Sequence, residues 1–232
     1  MCEPAKMYLD GSFLEKTGGT WHSEDSPFKA DQIVKLLGRH PHIVPRSVCD
    51  IGCGAGRVLF ELQRVLPNDV QFTGYDISPQ AHELSRQYCS SRCKFVLGDA
   101  FADNRRFDLA LVLDVVEHVE ECFGFLRKVR EKARFKIYHV PLDAHASAIV
   151  RGFNCWDDAG HLHLFTIETA MKTVSRSGQL ILDSVLTPLA LQAPARRART
   201  RLINPLRRVI EVINRTLAAR LLGGYSLLIL AE

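Results

Sequence analysis

Three glycines in the stretch VCDIGCGAGRVL are placed where a ligand could lie against the backbone. Gly52, Gly54 and Gly56 follow an apolar run that reaches Asp50, and an apolar-periodic segment resumes at Arg57. Glycine adopts positive φ and leaves the main chain accessible, while the helix that starts near Arg57 offers unpaired N–H groups. The turn is therefore predicted to be a binding site.

A second acid indicates what kind of ligand this is. Asp76 ends the next apolar segment, about 20 residues after Gly56, where a carboxylate would accept hydrogen bonds from both hydroxyls of a ribose. The dinucleotide fingerprint needs a glycine where this chain has Arg57, which weakens a pyrophosphate interpretation. Asp50 suits an ammonium group better than a phosphate. A ligand with a ribose and an amino acid is S-adenosylmethionine, the predicted cofactor.

Alternating strand and helix patterns must position these residues. Ser-Pro helix starts stand at Ser26 and Ser78, and seven apolar segments read as strands: SVCDI, VQFTGYD, CKFVLGD, FDLALVLD, FKIYHVPL, LILDSVL and YSLLILA. This order predicts an α/β fold, a doubly wound Rossmann-like sheet of seven mostly parallel strands with helices on both faces and an antiparallel last strand.

The chain is predicted to be a single domain over residues 1–232. Residues 1–40 would form N-terminal lid helices, residues 143–165 a substrate loop, and residues 187–223 a basic amphipathic helical insertion before the last strand. A long irregular stretch within a compact domain is usually functional or mobile, which supports the assignment of the loop.

Four motifs in order, VCDIGCGAGRVL, GYDIS, LGDAF and LVLDVVEHVEE, and the later GHLHLFTIET support a family assignment. Over about residues 26–186 the chain resembles the class I S-adenosylmethionine-dependent methyltransferases, in the branch that includes the ubiquinone-biosynthesis O-methyltransferases. The resemblance implies that the methionine end lies at Asp50 and the glycine turn, the ribose at Asp76 and the adenine at Asp99. The implied cofactor residues are Asp50, Gly52, Cys53, Gly54, Gly56, Asp76, Ile77, Asp99, Ala100, Leu113 and Asp114.

Histidines are the candidates for a general base, which methyl transfer needs only when the acceptor carries a proton that must leave. His161 and His163 alternate in GHLHLF and would share one face of an extended chain beside the predicted loop. His118 is the third candidate. The alternative for the loop pair is that both are exposed or bonded to backbone.

The run DVVEH raises the question of a metal. Asp114, Glu117 and His118 would come close together at the end of the fourth strand. Ubiquinone-type and small-RNA 2′-O-methyltransferases have a similar acid-x-x-Glu-His run that holds a divalent metal, but Asp in place of Glu shortens the reach. An acid in a first helical turn is also explained by the helix dipole. We therefore predict no metal requirement, with this trio as a weak candidate site and His139 as an extra ligand or a core residue.

Residues before the first strand and in the loop are candidates for contacts with substrate. Related enzymes place a lid across the cofactor where this chain has Trp21, His22 and Lys29, and Trp156 lies in the predicted substrate loop. Lys29 has the alternative of being a solvated helix residue.

Charge is concentrated near the C-terminal end. The chain has a net charge of +4, but residues 195–222 hold eight arginines against one acid, Glu211, which leaves the rest of the chain mildly acidic. An acidic body argues against a nucleic-acid partner. The seven cysteines have no metal-binding spacing, no segment could span a membrane, and a cytoplasmic location is predicted.

The arginine-rich segment predicts an amphipathic helix from Asn204-Pro205 to Gly223. Its apolar stripe is Leu206, Val209, Ile210, Ile213, Leu217 and Leu221. Two interpretations stay open: the stripe packs on the protein's own body as part of the substrate wall, or residues 195–222 make a peripheral contact with an anionic membrane.

The predicted function is methylation of a small-molecule acceptor, with oxygen favoured as the acceptor atom. The alternatives are an RNA 2′-O-methyltransferase and a non-catalytic cofactor-binding protein of the same fold. The identity of the acceptor and the oligomeric state stay open.

Overall fold

A seven-stranded sheet forms the centre of the computed structural model, which describes residues 7–152, 160–192 and 198–232. The strand order is β3-β2-β1-β4-β5-β7-β6, and β7 alone runs antiparallel to its neighbours. The bounds are β1 Ser47–Ile51, β2 Gln71–Asp76, β3 Cys93–Leu97, β4 Phe107–Leu113, β5 Ala133–Pro141, β6 Ile181–Thr187 and β7 Ser226–Ala231. The predicted fold class is confirmed.

Helices begin at side-chain caps at Ser78 and Thr166, whereas Ser26 is the first residue of its helix and does not cap it. Ser78 accepts a hydrogen bond from the backbone of Ala81, and Thr166 forms a capping box with Thr169. In chain order the helices are α1 Ser12–Lys16, α2 Ser26–Gly38, α3 Arg57–Val65, α4 Pro79–Ser85, α5 Cys122–Lys132, α6 Ala146–Ile149, α7 Ile167–Arg176, α8 Leu189–Gln192, α9 Ala198–Ile213 and α10 Arg215–Leu222.

Apolar side chains cover both faces of the sheet. One core contains residues of α5, α7 and α10 together with Val112 and Tyr138, and the other contains residues of α2 and α3 together with Leu111 and Ile137. Burial on both faces is the reason why β4 is almost continuously apolar. Because β2 lies on one side of β1 and β4 on the other, strand order reverses between β1 and β4, which opens a crevice at their carboxyl ends.

The inserted segment differs from its prediction in two ways. Helix α9 begins at Ala198, so Pro205 lies inside it, and Asn204 donates its side-chain amide to the carbonyl of Ala190 instead of capping a helix. A second helix, α10, starts because the Asn214 side chain accepts from the backbone N–H of Leu217 at 2.9 Å. An asparagine that caps its own following turn separates the predicted single helix into two.

The apolar stripe of this segment is also oriented differently from the first interpretation. Ile210 packs at the edge of the core, whereas Leu206, Val209 and Ile213 are exposed and Arg207 is buried. Packing of the whole stripe on the protein's own body is therefore wrong, because five of its six residues are exposed and the side that meets the body carries Arg207 together with Ile210. Within the described ranges no helix is long and apolar enough to span a bilayer.

Candidate functional site

Four strand ends bring the predicted cofactor residues to one edge of the sheet. Asp50 lies in β1, Asp76 ends β2, Asp99 follows β3, and Leu113 ends β4. Parallel strands have their carboxyl ends at the same edge, and β1 and β4 are the pair at which strand order reverses. The sequence positions of these residues, spread over more than 60 residues, therefore converge in space.

Asp76 joins the glycine turn to the next loop. Its Oδ2 accepts from the backbone N–H of Gly54 at 2.7 Å, and its Oδ1 accepts from the N–H of Ser78 at 2.9 Å. Burial raises the pKa of this carboxyl, although the backbone hydrogen bonds oppose the rise. The carboxylate is thus fixed beside the turn, and its remaining lone pairs are the acceptors that a ribose would use.

The glycine turn has a backbone that side chains would block. Gly54 and Gly56 have φ of 54° and 76°, in the left-handed region. A Cβ atom at Gly56 would lie 2.5 Å from the ring of Phe95, and one at Gly54 would lie 2.7 Å from Cδ1 of Trp21. Because the turn has no side chains at these positions, Phe95 of the core packs against its backbone on one side and Trp21 packs against it on the other.

Asp50 has the chemistry to receive a cation. The side chain is 1% exposed, and its Oδ1 has no hydrogen-bond partner within the described residues. Burial, followed by the charge of Asp76, raises the pKa of Asp50 to about 7. A buried acceptor without a donor is costly, and the ammonium of an amino acid would satisfy it. This orphaned oxygen fits the methionine end of S-adenosylmethionine.

Asp114 is occupied by two neighbours in the structure. Its Oδ2 lies 2.5 Å from Nζ of Lys29 and its Oδ1 lies 2.6 Å from Nδ1 of His139, whose Nε2 is 3.2 Å from the hydroxyl of Thr187. Burial alone would raise the pKa of Asp114, but the charges of His139 and Lys29 outweigh it and hold the pKa below its usual range. Asp114 also has a φ of 56°, unusual for a side-chain-bearing residue.

These contacts decide two open alternatives. Lys29 is paired inside the molecule with Asp114, so the solvated-helix alternative for Lys29 is wrong. His139 is buried and bonded on both ring nitrogens, which is the core alternative.

Glu117 is the most unusual carboxyl of the site. The residue is fully buried in the turn after β4, and neither carboxylate oxygen has a hydrogen-bond partner within the part of the chain that the structure describes. Burial, followed by the negative charge of Asp114, raises the pKa of Glu117 well above its usual value. The next residue, His118, has its Nε2 4.0 Å from Oε1 of Glu117. Burial, followed by the nearby His161, lowers the pKa of His118 to about 4.

The structure brings His161 to this cluster. Its ring centroid lies 4.7 Å from that of His118, and its Nδ1 is 2.7 Å from Oδ2 of Asp143. A carboxylate at Nδ1 holds the proton there and leaves Nε2 as the basic nitrogen, the logic of a histidine–aspartate pair in catalysis. The acid partner Asp143 was not among the predicted site residues. It lies at the start of the predicted loop, two residues after β5.

His163 has a different environment. Its Nε2 lies 2.8 Å from the carbonyl oxygen of Val119, and the backbone N–H groups of Leu162 and His163 both donate to the carbonyl of Glu117. These bonds tie the loop to the turn after β4. A catalytic role for His163 stays a prediction, and the geometry offers a positioning role instead.

An aromatic cluster covers the glycine turn and His118. Tyr8 and Phe13 have ring centroids 4.8 Å apart, Phe13 and Trp21 are 4.9 Å apart, and Phe13 and His22 are 5.8 Å apart. The hydroxyl of Tyr8 lies 3.3 Å from Nε2 of His118. This arrangement has the form of the predicted N-terminal lid, and the aromatic spacing in MYLDGSFLEK was the signal that sequence reasoning missed for Tyr8 and Phe13. Trp156 lies outside the described residues.

The remaining candidate cofactor residues lie along the same edge of the sheet. Asp99 is exposed and caps a short helical turn by accepting from the N–H of Phe101 at 2.9 Å, which positions the buried Ala100. Ile77 is half exposed after β2, and the Cys53 sulfur packs close to Gly74. None of these contacts tests their role in binding.

A possible metal-binding set exists at the histidine cluster. One ligand atom each from Glu117, His118 and His161 lies within 4.8 Å of the others. Imidazole nitrogens with a carboxylate oxygen suit a divalent transition metal, so these three residues fit such an ion. This set differs from the predicted one, in which Asp114 stood with Glu117 and His118. Asp114 is paired with Lys29 and His139 instead, and His161 is the third residue of the observed set.

A cavity of about 320 Å³ lies beside the predicted loop. Its lining residues come from the end of β5, the start of α7 and α10: Leu142, Ala144, Thr166, Ile167, Glu168, Ala219 and Arg220. The two β5-side residues flank Asp143 in sequence. The cavity therefore lies next to the chain segment that holds Asp143, although Asp143 and His161 are not among its lining residues.

Comparison with known proteins supports the methyltransferase expectation over part of the chain. A family model described as a methyltransferase domain matches residues 49–134. The "Probable cobalt-precorrin-6B C(15)-methyltransferase (decarboxylating)" of Thermoplasma acidophilum is 28% identical over 35% of this chain and 44% of its own length. The mitochondrial ubiquinone biosynthesis O-methyltransferase of Schizosaccharomyces pombe is 28% identical over 38% of this chain and 34% of its own. The chain thus spans less than half the length of these curated relatives.

The fold extends further than the sequence match. The crystal structure of magnesium protoporphyrin IX methyltransferase from Synechocystis with bound S-adenosylmethionine has a TM-score of 0.63 and 15% identity, and the match covers 100% of this chain and 97% of that one. At this identity the likeness concerns the fold alone, which is that of the predicted class.

Proposed function

We propose that the protein is an S-adenosylmethionine-dependent methyltransferase that acts on a small-molecule acceptor, with oxygen as the favoured acceptor atom. The observation that carries the proposal is the set of carboxylates at the carboxyl ends of β1 and β2. Asp50 is buried with an unpartnered oxygen, and Asp76 is fixed against the glycine turn. An amino-acid ammonium and a ribose are the two groups that such a pair would bind, and S-adenosylmethionine contains both.

The residues around the cluster would align and deprotonate the acceptor. When bound, the cofactor would supply a methyl group on a sulfonium; the bond from the acceptor oxygen to this methyl would form as the methyl–sulfur bond breaks, and S-adenosylhomocysteine would leave. His161 would take the acceptor's proton at Nε2, because Asp143 holds the other ring nitrogen protonated. The lid of Tyr8, Phe13 and Trp21 would exclude water, so that alignment of acceptor and methyl supplies most of the acceleration.

The environment of the cluster favours a hydroxyl acceptor. Burial lowers the pKa of His118 to about 4, which leaves this imidazole uncharged near pH 7, and raises the pKa of Glu117 well above its usual value. A phenol or enol carries a proton that a neutral imidazole can accept, whereas a tertiary amine needs no base. One relative is named for oxygen methylation and another for methylation of carbon, so the acceptor atom is a proposal. RNA is disfavoured because the chain outside residues 195–222 is acidic.

The predicted independence of metal remains part of the proposal. If a divalent ion were held, Glu117, His118 and His161 would hold it, and it would lower the pKa of an acceptor hydroxyl. Activity is expected to survive a chelator because His161 can serve as the base without the ion. Loss of activity in chelator, with recovery on adding magnesium or manganese but not in Glu117→Gln, would assign the cluster to the metal instead.

The location proposed for the enzyme is the cytoplasm. Cys49, Cys53, Cys89, Cys93 and Cys122 are all free thiols in the described chain, as a reducing compartment would allow.

The test combines a binding measurement with a transfer assay. Calorimetry should detect S-adenosylhomocysteine, and labelled S-adenosylmethionine mixed with a fractionated metabolite extract should transfer label to a small molecule in one fraction. Tight binding of NAD without any response to S-adenosylhomocysteine would contradict the cofactor. Binding without label transfer to any fraction would favour the non-catalytic alternative.

A further inference from the structure

We propose that α9 and α10 form a docking surface for an anionic lipid membrane. Both helices expose large apolar side chains, which we call the apolar face: Leu202, Leu206, Val209, Val212, Ile213, Leu217 and Leu221. Leu202, Leu206, Val209 and Ile213 follow one another at intervals of three and four residues, which places them on one side of α9. Leu202 is 80% exposed, so its side chain has almost no contact with the protein.

The orientation of α9 is the reverse of an ordinary surface helix. Arg207 is only 5% exposed; its Nε donates to the carbonyl oxygen of Gly223 at 2.8 Å, and its guanidinium also bonds Asn204 and the carbonyl of Leu222. A surface helix normally turns its apolar stripe inward and its arginines outward. Arg207 and Ile210 lie on the side of α9 that meets the body, and the apolar stripe lies on the exposed side. An exposed apolar surface of this extent indicates an interaction site.

The charge of the segment identifies the partner. Residues 195–222 carry eight arginines and one glutamate, a net charge of +7, while the rest of the chain is at −3. Arg208 is exposed beside the stripe, and Arg215 and Arg220 are at least half exposed in spite of their ion pairs with Glu211 and Glu168. An apolar stripe flanked by arginines is the pattern of a helix that lies in the interface of an anionic bilayer.

Other occupants fit this surface less well. A second copy of the chain in a two-fold dimer would bring the +7 segment against itself, and like charges repel. A nucleic acid would neutralise the arginines but would leave the apolar face in water. A lipid surface with acidic head groups satisfies both features at once.

The position of α10 connects the surface with the cavity beside the predicted loop. Ala219 and Arg220 of α10 line the 320 Å³ cavity, and α6, which packs against α10, exposes Ile149 and Val150 at its end. A membrane-bound molecule would therefore hold this cavity near the lipid head groups. If the proposed methyltransferase function is correct, an acceptor dissolved in the bilayer would reach this cavity from the membrane surface.

Sedimentation of the 232-residue chain with vesicles tests the docking surface independently of any activity. Vesicles of phosphatidylcholine alone are compared with vesicles that also contain phosphatidylglycerol, each at low and at moderate salt. The protein is expected to sediment with the anionic vesicles, less so at higher salt, and to stay in solution with the neutral ones. Absence of co-sedimentation in every condition would overturn the proposal, whatever the outcome of the S-adenosylhomocysteine measurement.

Substitutions at two valines of similar exposure distinguish the contribution of the apolar face from an effect of net charge on vesicle binding. Val209 on α9 is 59% exposed and Val65 at the end of α3 is 62% exposed. Val209→Glu and Val65→Glu change the net charge equally, but only the first places a carboxylate in the lipid interface. Val209→Glu is expected to weaken vesicle binding at least about tenfold, and Val65→Glu by less than about twofold. Equal effects of both variants would contradict a specific surface.

Arginine variants test whether electrostatic attraction contributes to the binding of anionic vesicles. Arg208→Gln should weaken binding to anionic vesicles about fivefold, since one basic residue near the surface contributes on that scale. Arg106→Gln, an exposed arginine before β4, should leave binding unchanged. Melting curves identify any variant that has lost its fold, and an unfolded one is replaced by Leu206→Gln. Self-association without vesicles that Val209→Glu abolishes would assign the face to a second copy and overturn the lipid proposal.

Discussion

The carboxyl edge of β1–β4 and the inserted helices α9 and α10 depart from ordinary protein surfaces in opposite ways. The edge buries acids with oxygens that have no hydrogen-bond partner in the described chain, Oδ1 of Asp50 and both carboxylate oxygens of Glu117. The insertion buries a fully bonded arginine, Arg207, and exposes apolar side chains around Val209. Unsatisfied buried acceptors favour a polar or cationic ligand, and exposed apolar surface favours a nonpolar one. The two regions are therefore expected to bind partners of different chemistry.

The two regions also differ in the contacts that hold them in place. Side chains at the edge are held by hydrogen bonds to neighbouring backbone, such as the bonds of Asp76 to Gly54 and Ser78. Orientation of α9 depends on the contacts of Arg207 with carbonyls at the end of α10. Substitutions at the edge should consequently affect binding and turnover, whereas substitutions under α9 should affect stability and the docking surface.

The largest effect is expected at His161. His161→Ala should lower turnover by about 10²–10⁴-fold, because the general base is lost, and should leave S-adenosylhomocysteine affinity unchanged. Steady-state kinetics with the identified acceptor measures the turnover, and Asp143→Asn should lower it and alter its pH profile. His163→Ala is the internal control: its Nε2 bonds the Val119 carbonyl, so turnover should fall less than about tenfold. A larger loss in His163→Ala than in His161→Ala would reverse the assignment of the base.

A smaller effect is expected at Asp76, within the same edge. Asp76→Ala should weaken S-adenosylhomocysteine binding by about 1–3 kcal/mol, since a charged acceptor for ribose is removed and Gly54 loses its bond. Calorimetry provides the affinity. Asp31→Ala, an exposed carboxylate on α2, should change the affinity by less than about 0.5 kcal/mol. Unchanged affinity in Asp76→Ala would show that Asp76 does not bind the ribose. The carboxyl edge would then no longer differ from α9 and α10 as a site for a polar ligand.

Cofactor binding should depend on pH through Asp50. Its pKa is raised to about 7 in the free protein, and the ionised form is the one that receives an ammonium. Affinity for S-adenosylhomocysteine should therefore fall as the pH drops below about 7, approaching a factor of about ten per pH unit, and level off above it. Calorimetry over a pH series measures the slope. Asp50→Asn should abolish the slope, and a slope that persists in this variant would assign the titration to another group.

The effect expected under α9 concerns stability and leaves cofactor binding and turnover unchanged. Arg207→Gln should lower the free energy of unfolding by about 1–3 kcal/mol, because the carbonyls of Gly223 and Leu222 lose a charged donor. The neighbouring exposed Arg208→Gln should change it by less than about 0.5 kcal/mol. Urea unfolding compares the two variants. Equal stabilities would mean that Arg207 does not determine the orientation of α9.

The strands and the cofactor edge were predictable because their signals are local. A run of buried apolar residues, a glycine turn and an acid at a strand end are all read within about ten residues, and parallel topology then brings the strand ends together. The assignments of β1, β2 and β4 and the convergence of Asp50 with Asp76 followed from this. The role of each residue in binding stays a prediction.

Partnerships across long stretches of chain were not predictable from the same signals. Asp143 meets His161 across 18 residues, Lys29 meets Asp114 across 85, and Tyr8 meets His118 across 110. No spacing rule connects such positions, because the path of the chain between them depends on how the helices pack.

The sequence by itself determined the sheet, the glycine turn and the amphipathic character of the inserted segment, because each depends on the periodicity of neighbouring residues. Only the tertiary structure decided which side of that segment faces outward. The stripe and the arginines would be equally visible on a helix packed either way, and periodicity does not say which side meets the protein. In the folded chain Arg207 bonds carbonyls at the end of α10 and is buried, while the apolar side of α9 is exposed to solvent.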